Sequence, residues 1–318
     1  MNRITRLTAE ITEIAVNLTP PGQGALSWGT RAYLLRNAAR NRLLLIDTGS
    51  DGSEDVILQA IAASGHQPAD LEAIILTHWH EDHSGSLSAI MQAAGNSLRV
   101  LVPPAEIDIL RNQRPVSLNN WGWMGKSGPR PYSPGRLSEV QVVQLQSLRE
   151  DDPLLTKWDL QMIDTPGHSE GHISLLSPGR RALFAGDALL CYQRTVFTFP
   201  HANPAQTEAS ARKLLELDFE RLLPGHAHAM PYRFSPADRQ PLTGRPGPGW
   251  KLLEKAIAGR PLMRSTGPII SSSAQPDPVT IARRKKRLIA GGLSIAAAGI
   301  LAFIYLNPQF RTRKGVRQ

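Results

Sequence analysis

Thr77-His78-Trp79-His80-Glu81-Asp82-His83 sets three histidines and an aspartate directly after the apolar run Ala73, Ile74, Ile75, Leu76. Imidazole and carboxylate are the donors that zinc and other borderline divalent metals prefer. A strand that ends in a loop aims several side chains at one point, which is how a metal site is assembled. The same letters also suit a polar loop that merely happens to be rich in histidine, because a short match is weakly specific. The distribution of the other histidines separates the two readings.

The chain has nine histidines, and seven of them fall in three groups. His78, His80 and His83 form the first. His168 and His172 follow in Thr165-Pro166-Gly167-His168-Ser169-Glu170-Gly171-His172, and His226 and His228 lie in Pro224-Gly225-His226-Ala227-His228. Only His66 and His201 stand apart. Between the second and third groups, Leu183-Phe184-Ala185-Gly186-Asp187 delivers a carboxylate just past an apolar run. Four strand-end loops thus each present a potential ligand.

This ordered set resembles the metallo-β-lactamase superfamily, with its HxHxDH, TPGH, GD and PGH motifs, over residues 11–232. The resemblance implies an α/β protein built as an αββα four-layer sandwich with metals at one edge of the two sheets. It also implies a ligand set. His78, His80 and His168 would hold one metal, and Asp82, His83 and His226 a second, with Asp187 bridging. Every position of that set is filled by a residue able to coordinate, and Asp82 doubles as the candidate catalytic residue. The implied cofactor is Zn2+, two ions per chain, with iron or manganese as alternatives. Two such cations share a water and lower its pKa towards neutrality, giving a hydroxide nucleophile. Cys191 is then not needed as a nucleophile and reads as a small buried residue.

Asp47, in Ile46-Asp47-Thr48-Gly49, ends another apolar run. It reads equally as a turn-forming residue or as a carboxylate that orients the histidine loop; the resemblance favours the second. His172 is expected to support the His168 loop by hydrogen bonding. His228 reads as a pocket or surface residue and not as a ligand.

The local patterns agree with an α/β protein. Strands are expected at residues 11–18, 32–35, 43–46, 73–76, 98–102, 140–145, 173–176 and 181–184, and helices at 54–63, 87–93, 104–111 and 204–217. The catalytic domain is expected to span residues 1–235, followed by a Pro/Gly/Ser-rich extension and linker at 236–280.

Charge divides the chain differently. The net charge is +9, yet residues 1–280 carry 27 basic and 27 acidic side chains, so all the excess lies in the last 38 residues. A nucleic-acid groove on the catalytic domain is therefore disfavoured. Within the tail, a basic cluster at 281–287 precedes 19 uncharged residues at 288–306 and a short basic end at 307–318. As a helix the uncharged run would be about 28 Å long, close to the thickness of a bilayer core. It is expected to be a transmembrane helix. With no long apolar region or cleavage site in residues 1–19, the expectation is a single-pass C-terminal anchor that leaves the catalytic domain cytoplasmic. A single cysteine agrees with a reducing compartment.

The substrate is less sharply defined. The 39 positions from Asp187 to His226 leave no room for the inserted domain of the nucleic-acid-processing branch. The arrangement looks closest to glyoxalase II-like and lactonase-like hydrolases of small esters, thioesters or lactones. Tyr192 is slightly displaced from the position that lactonases of the superfamily use, and residues 250–264 lack the basic substrate-binding pattern of glyoxalase II. Trp121 and Trp123, among glycines and ahead of three prolines, suggest an apolar lid and with Tyr192 a substrate pocket, which suits a lipid-like substrate. Two further classes share the fold: an iron-dependent oxidoreductase of the persulfide dioxygenase type, and a membrane-tethered binding module without turnover.

Overall fold

Leucine, isoleucine, valine and alanine fill consecutive positions of the central strands, the pattern expected where a sheet is covered on both faces. The computed structural model describes residues 2–16, 29–114, 137–192, 195–198 and 203–228. Its strands are β1 (Arg3–Arg6), β2 (Ile11–Val16), β3 (Gly29–Asn37), β4 (Arg42–Ile46), β5 (Leu71–Ile75), β6 (Arg99–Val102) and β7 (Leu145–Ser147). They continue as β8 (Gln161–Asp164), β9 (Ile173–Ser177), β10 (Ala182–Gly186), β11 (Leu190–Tyr192), β12 (Thr195–Phe197), β13 (Arg221–Pro224) and β14 (His226–His228). The helices are α1 (Glu54–Ala63), α2 (Glu81–Ser84), α3 (Leu87–Ala94), α4 (Ile107–Leu110), α5 (Glu139–Gln144), α6 (Pro153–Lys157) and α7 (Pro204–Leu215).

Among the described residues these strands form two sheets. The larger has ten strands in the order β12-β11-β14-β3-β4-β5-β6-β7, with β2 also on β3 and β1 on β2; the smaller runs β13-β10-β9-β8. Successive side chains of a strand point to opposite faces, and the packing follows that rule. Tyr33, Leu35, Leu44, Ile46, Ala73, Ile75 and Leu101 of the large sheet meet Ile173, Leu175, Ala182, Phe184 and Leu223 of the small one. Their neighbours Leu34, Leu43, Leu45, Ile74 and Val100 face the other way, onto Val56, Ile57 and Ile61 of α1 and Leu87, Ile90 and Met91 of α3. On the far side of the small sheet, Leu183, Ala185 and Leu222 pack on Ala211 and Leu214 of α7. The result is the expected order of helix, sheet, sheet and helix.

Register decides what emerges at the strand ends. β4 and β5 run parallel with Ile46 opposite Ile75, so Asp47 and Thr77 leave the sheet side by side. β10 and β13 run parallel with Gly186 opposite Pro224, so Asp187 and His226 do the same. The two sheets are joined at this edge, where the Ile173 N–H donates to the Thr77 carbonyl at 3.0 Å.

Two expectations need correction. Residues 140–145 are not a strand: α5 ends at Gln144 and only Leu145 begins β7. Three valines suggested β structure, but Ser138 and Gln141 form a capping box in which each side chain accepts the other's backbone N–H. Val140 and Val143 then point outward, 63% and 77% exposed. The helix expected at 104–111 is instead a proline-led 3-10 turn, Pro104–Glu106, followed by the single turn of α4. No helix among the described residues is long and apolar enough to cross a membrane; residues 236–318, including the run at 288–306, lie outside them.

Candidate metal centre

The loop after β5 carries His78 and His80, and α2 begins at once, so that Asp82 and His83 point back to the same spot. The loop between β8 and β9 adds His168, the turn after β10 adds Asp187, and the first residue of β14 adds His226. All seven residues read from the sequence as ligands therefore converge. Their donor atoms fall into three overlapping groups: His78, His80 and His168; His78, His83 and Asp187; and Asp82, His83 and His226.

Distances define the pattern further. His80 Nδ1 lies 3.0 Å from His78 Nε2 and 2.9 Å from His168 Nε2. His226 Nε2 lies 3.0 Å from Asp82 Oδ2, and His83 Nε2 lies 3.4 Å from His226 Nε2. Asp187 touches both ends, with Oδ2 at 3.3 Å from both His168 Nε2 and His226 Nε2, and Oδ1 at 3.4 Å from His83 Nε2. Ligand atoms around a tetrahedral ion at zinc distances are separated by about 3.3 Å. A ring nitrogen carries one proton or one lone pair, so His80 Nδ1 cannot serve two histidine nitrogens well, whereas a shared cation satisfies all three. The donor set fits a divalent cation.

Hydrogen bonds away from the cluster select the tautomers that such a site requires. The Thr77 hydroxyl donates to Asp47, 2.9 Å from Oδ2, and its oxygen lies 3.0 Å from His78 Nδ1. Nδ1 must then carry the proton, which leaves the Nε2 lone pair facing the cluster. His83 Nδ1 meets Asp47 Oδ2 at 2.9 Å and is oriented the same way. Asp47 combines a turn conformation with hydrogen bonds to the histidine loop. It occupies the left-handed turn conformation, φ 58°, and through its carboxylate it anchors Thr77 and His83. His172 is not among the converging ligands, and its reach exceeds the expected support of its own loop. Its Nδ1 lies 2.8 Å from Thr165 Oγ1, while its Nε2 accepts the Asp187 N–H at 2.9 Å.

The electrostatics of the two ends differ. Burial, reinforced by the charges of His83, His80, His168 and His172, holds His78 well below the usual imidazole range. Burial also favours the neutral form of His83, but Asp187, Asp82 and Asp47 outweigh it and lift the imidazole to about 9. His226 is raised to about 10, with Asp187 and Asp82 again overcoming burial. Burial opposes the charge on Asp187, yet His226, His83 and His168 hold the carboxyl well below the usual range. Desolvation, with His168 beside it, lowers His172 to about 3, in keeping with Nε2 as an acceptor.

Glycine is required where the third histidine loop closes on the cluster. A Cβ on Gly225 would stand 2.2 Å from Asp187 Oδ1 and 2.7 Å from His83 Cε1. That explains the Pro-Gly-His spelling in space-filling terms.

Sequence reasoning missed Glu106. This fully buried carboxylate accepts the Trp79 N–H at 2.6 Å and the Gly171 N–H at 2.9 Å, and it also accepts the Ser169 hydroxyl. Burial pushes it up to about 7 against the pull of those donors. The one available signal was an acidic side chain set among Val102, Pro103, Pro104 and Ile107. Thr30 was missed as well; its hydroxyl donates to Asp82 Oδ2 at 3.3 Å.

Other expectations fall elsewhere. Trp121 and Trp123 lie outside the described residues, as does His201. Tyr192 pairs through its backbone with His228 on β14. His66 is buried just after α1, bonded to Ser64.

A family model described as the metallo-beta-lactamase superfamily matches residues 28–226. A Drosophila melanogaster protein named beta-lactamase-like protein 2 homolog is 26% identical over 71% of this chain and 67% of its own length. A hydroxyacylglutathione hydrolase from Fuscovulum blasticum is 28% identical over 60% of each chain. The Bos taurus acyl-coenzyme A thioesterase MBLAC2 is 30% identical over 48% of this chain and 54% of its own.

Proposed function

Since this chain belongs to the metallo-β-lactamase superfamily, we propose that it is a metal-dependent hydrolase, binding two zinc ions and cleaving a small acyl thioester, ester or lactone. The observation that carries this reading is the contact of Asp187 with histidines of both groups, at 3.3–3.4 Å. When bound, the ions supply a water of lowered pKa and a Lewis acid for the acyl carbonyl. His78, His80 and His168 would hold one ion and Asp82, His83 and His226 the other, with Asp187 shared between them. Asp82 is 43% exposed and Asp187 only 6%, so Asp82 is the acidic member that meets an entering substrate. We assign it the additional task of accepting a hydrogen bond from the attacking water and so orienting it.

Among substrates, a thioester is favoured, because two relatives are named for acyl groups carried on glutathione or coenzyme A. The test is a panel of thioesters, lactones and acyl esters, assayed with and without a chelator on protein whose metal content has been measured. Chelator-sensitive thioester hydrolysis with zinc bound is the expected result. One iron per chain with no zinc would replace this reading with the oxidoreductase, and turnover unaffected by full metal removal would sink it.

The tail extends the proposal. Nineteen uncharged residues flanked by basic clusters support a membrane tether, and Trp121, Trp123 and Tyr192 support an apolar substrate pocket. Truncation after residue 280 is expected to move the protein from the membrane to the soluble fraction. Retention at the membrane would remove the tether.

A further inference from the structure

We infer that Glu106 is a positioning residue that sets the affinity of the three-histidine end of the cluster, and of that end alone. The inference rests on the two-metal reading above. Glu106 closes the 3-10 turn after β6, on neither of the two loops it joins. Its Oε2 takes the N–H of Trp79, the residue between His78 and His80, and its Oε1 takes Ser169 and Gly171, one and three positions after His168. One rigid carboxylate therefore spans two loops that are 88 positions apart in the chain between His80 and His168. Among the described residues no hydrogen bond of Glu106 reaches Asp82, His83 or His226, which are held instead by Thr30, Asp47, Asp187 and one another.

The packing around Glu106 is specific to this task. The side chain is wholly buried, a location that disfavours a carboxylate unless its oxygens are occupied, and here three donors occupy them. Gly171 is needed for the approach, since a Cβ there would stand 2.6 Å from Glu106 Cγ and 2.9 Å from Ala105 Cβ. The Trp79 ring in turn lies edge-on to His80, centroids 4.5 Å apart. A shift of the Trp79 backbone is thus passed to His80 through both the chain and the ring.

Glu106→Gln is nearly isosteric but offers one acceptor oxygen to two backbone N–H groups on opposite sides, so one loop loses its hold. The test is calorimetric titration of metal-stripped, full-length protein with zinc, with the spectrum of bound cobalt(II) as a second readout. His168→Ala and His226→Ala identify which binding step belongs to which end. Glu106→Gln is expected to weaken the step abolished in His168→Ala by about 10–100-fold, the range for outer partners of metal ligands, and to leave the step abolished in His226→Ala within about threefold. Gly171→Ala should do the same by crowding, without altering any charge, and it keeps the test open if Glu106→Gln does not fold. Equal weakening of both steps, or of neither, in whichever variant folds would overturn the inference. A wild-type chain that binds no divalent ion would instead bring down the two-metal reading, and this inference with it.

Discussion

The two ends of the ligand cluster lie within a few ångströms of each other yet are built on opposite electrostatic plans. At the three-histidine end, burial keeps His78 neutral and its outward nitrogen is committed to Thr77. At the mixed end, Asp82 and Asp187 hold His83 and His226 protonated when no ion is bound. The first end is a rigid, dry socket that a metal enters without displacing a proton from His78. The second is a half-open one where a metal must compete with protons. Ligand identity alone does not reveal this; the placement of the carboxylates does.

The most severe way to break the comparison is to remove the residue both ends share. Asp187→Asn should weaken both binding steps and reduce hydrolysis by more than the roughly 100-fold expected for loss of an outer partner. Retention of two tightly bound ions, measured by metal analysis after dialysis, would show that the ends are independent.

The next test is pH. His83 and His226 have raised values of about 9 and 10, so both are protonated at pH 6–8 in the metal-free protein and must lose those protons on binding. Affinity at the mixed end should therefore rise with pH across that window, by about tenfold per pH unit for each proton displaced. His78, which burial holds well below the usual imidazole range, should release no proton of its own. Calorimetry in buffers of different ionisation enthalpy reads the protons directly, and equal release at both steps would erase the distinction.

Smaller perturbations sharpen it. His172→Ala removes the acceptor of the Asp187 N–H, which should cost about 10–100-fold in metal affinity and register at both ends. Thr30→Val deletes one hydrogen bond to Asp82 and should weaken only the mixed end, by about two- to tenfold. The stepwise zinc titration separates these outcomes, and a Thr30→Val effect confined to the three-histidine end would contradict the assignment of Asp82.

Much of this was legible in the residues because ligands are spelled by type and strand ends by apolar runs. Residues 43–46 and 73–76 were read as strands, and parallel pairing then leaves Asp47 and Thr77 no choice but adjacency. Glu106 was not legible, since its role depends on two loops brought to it by the tertiary fold and none of its sequence neighbours is a ligand. Residues 140–145 were misread for a different reason. Their valines carry a weak preference that a local hydrogen-bonded box overrides, and no core lies beside them to enforce a strand. His172 was recognised as a supporting residue, but its bond to Asp187 could not be seen until β9 and β10 were paired.

The bond from Ile173 N–H to the Thr77 carbonyl has a kinetic consequence. It stitches a loop of one sheet to the first residue of a strand in the other, beside His78 and His172. Ions gripped by His78 and His168 would act as rivets through that seam, so their escape is tied to parting of the sandwich and not to fraying of a surface loop. Chelators should then strip the protein at a rate set by its own breathing and insensitive to chelator concentration.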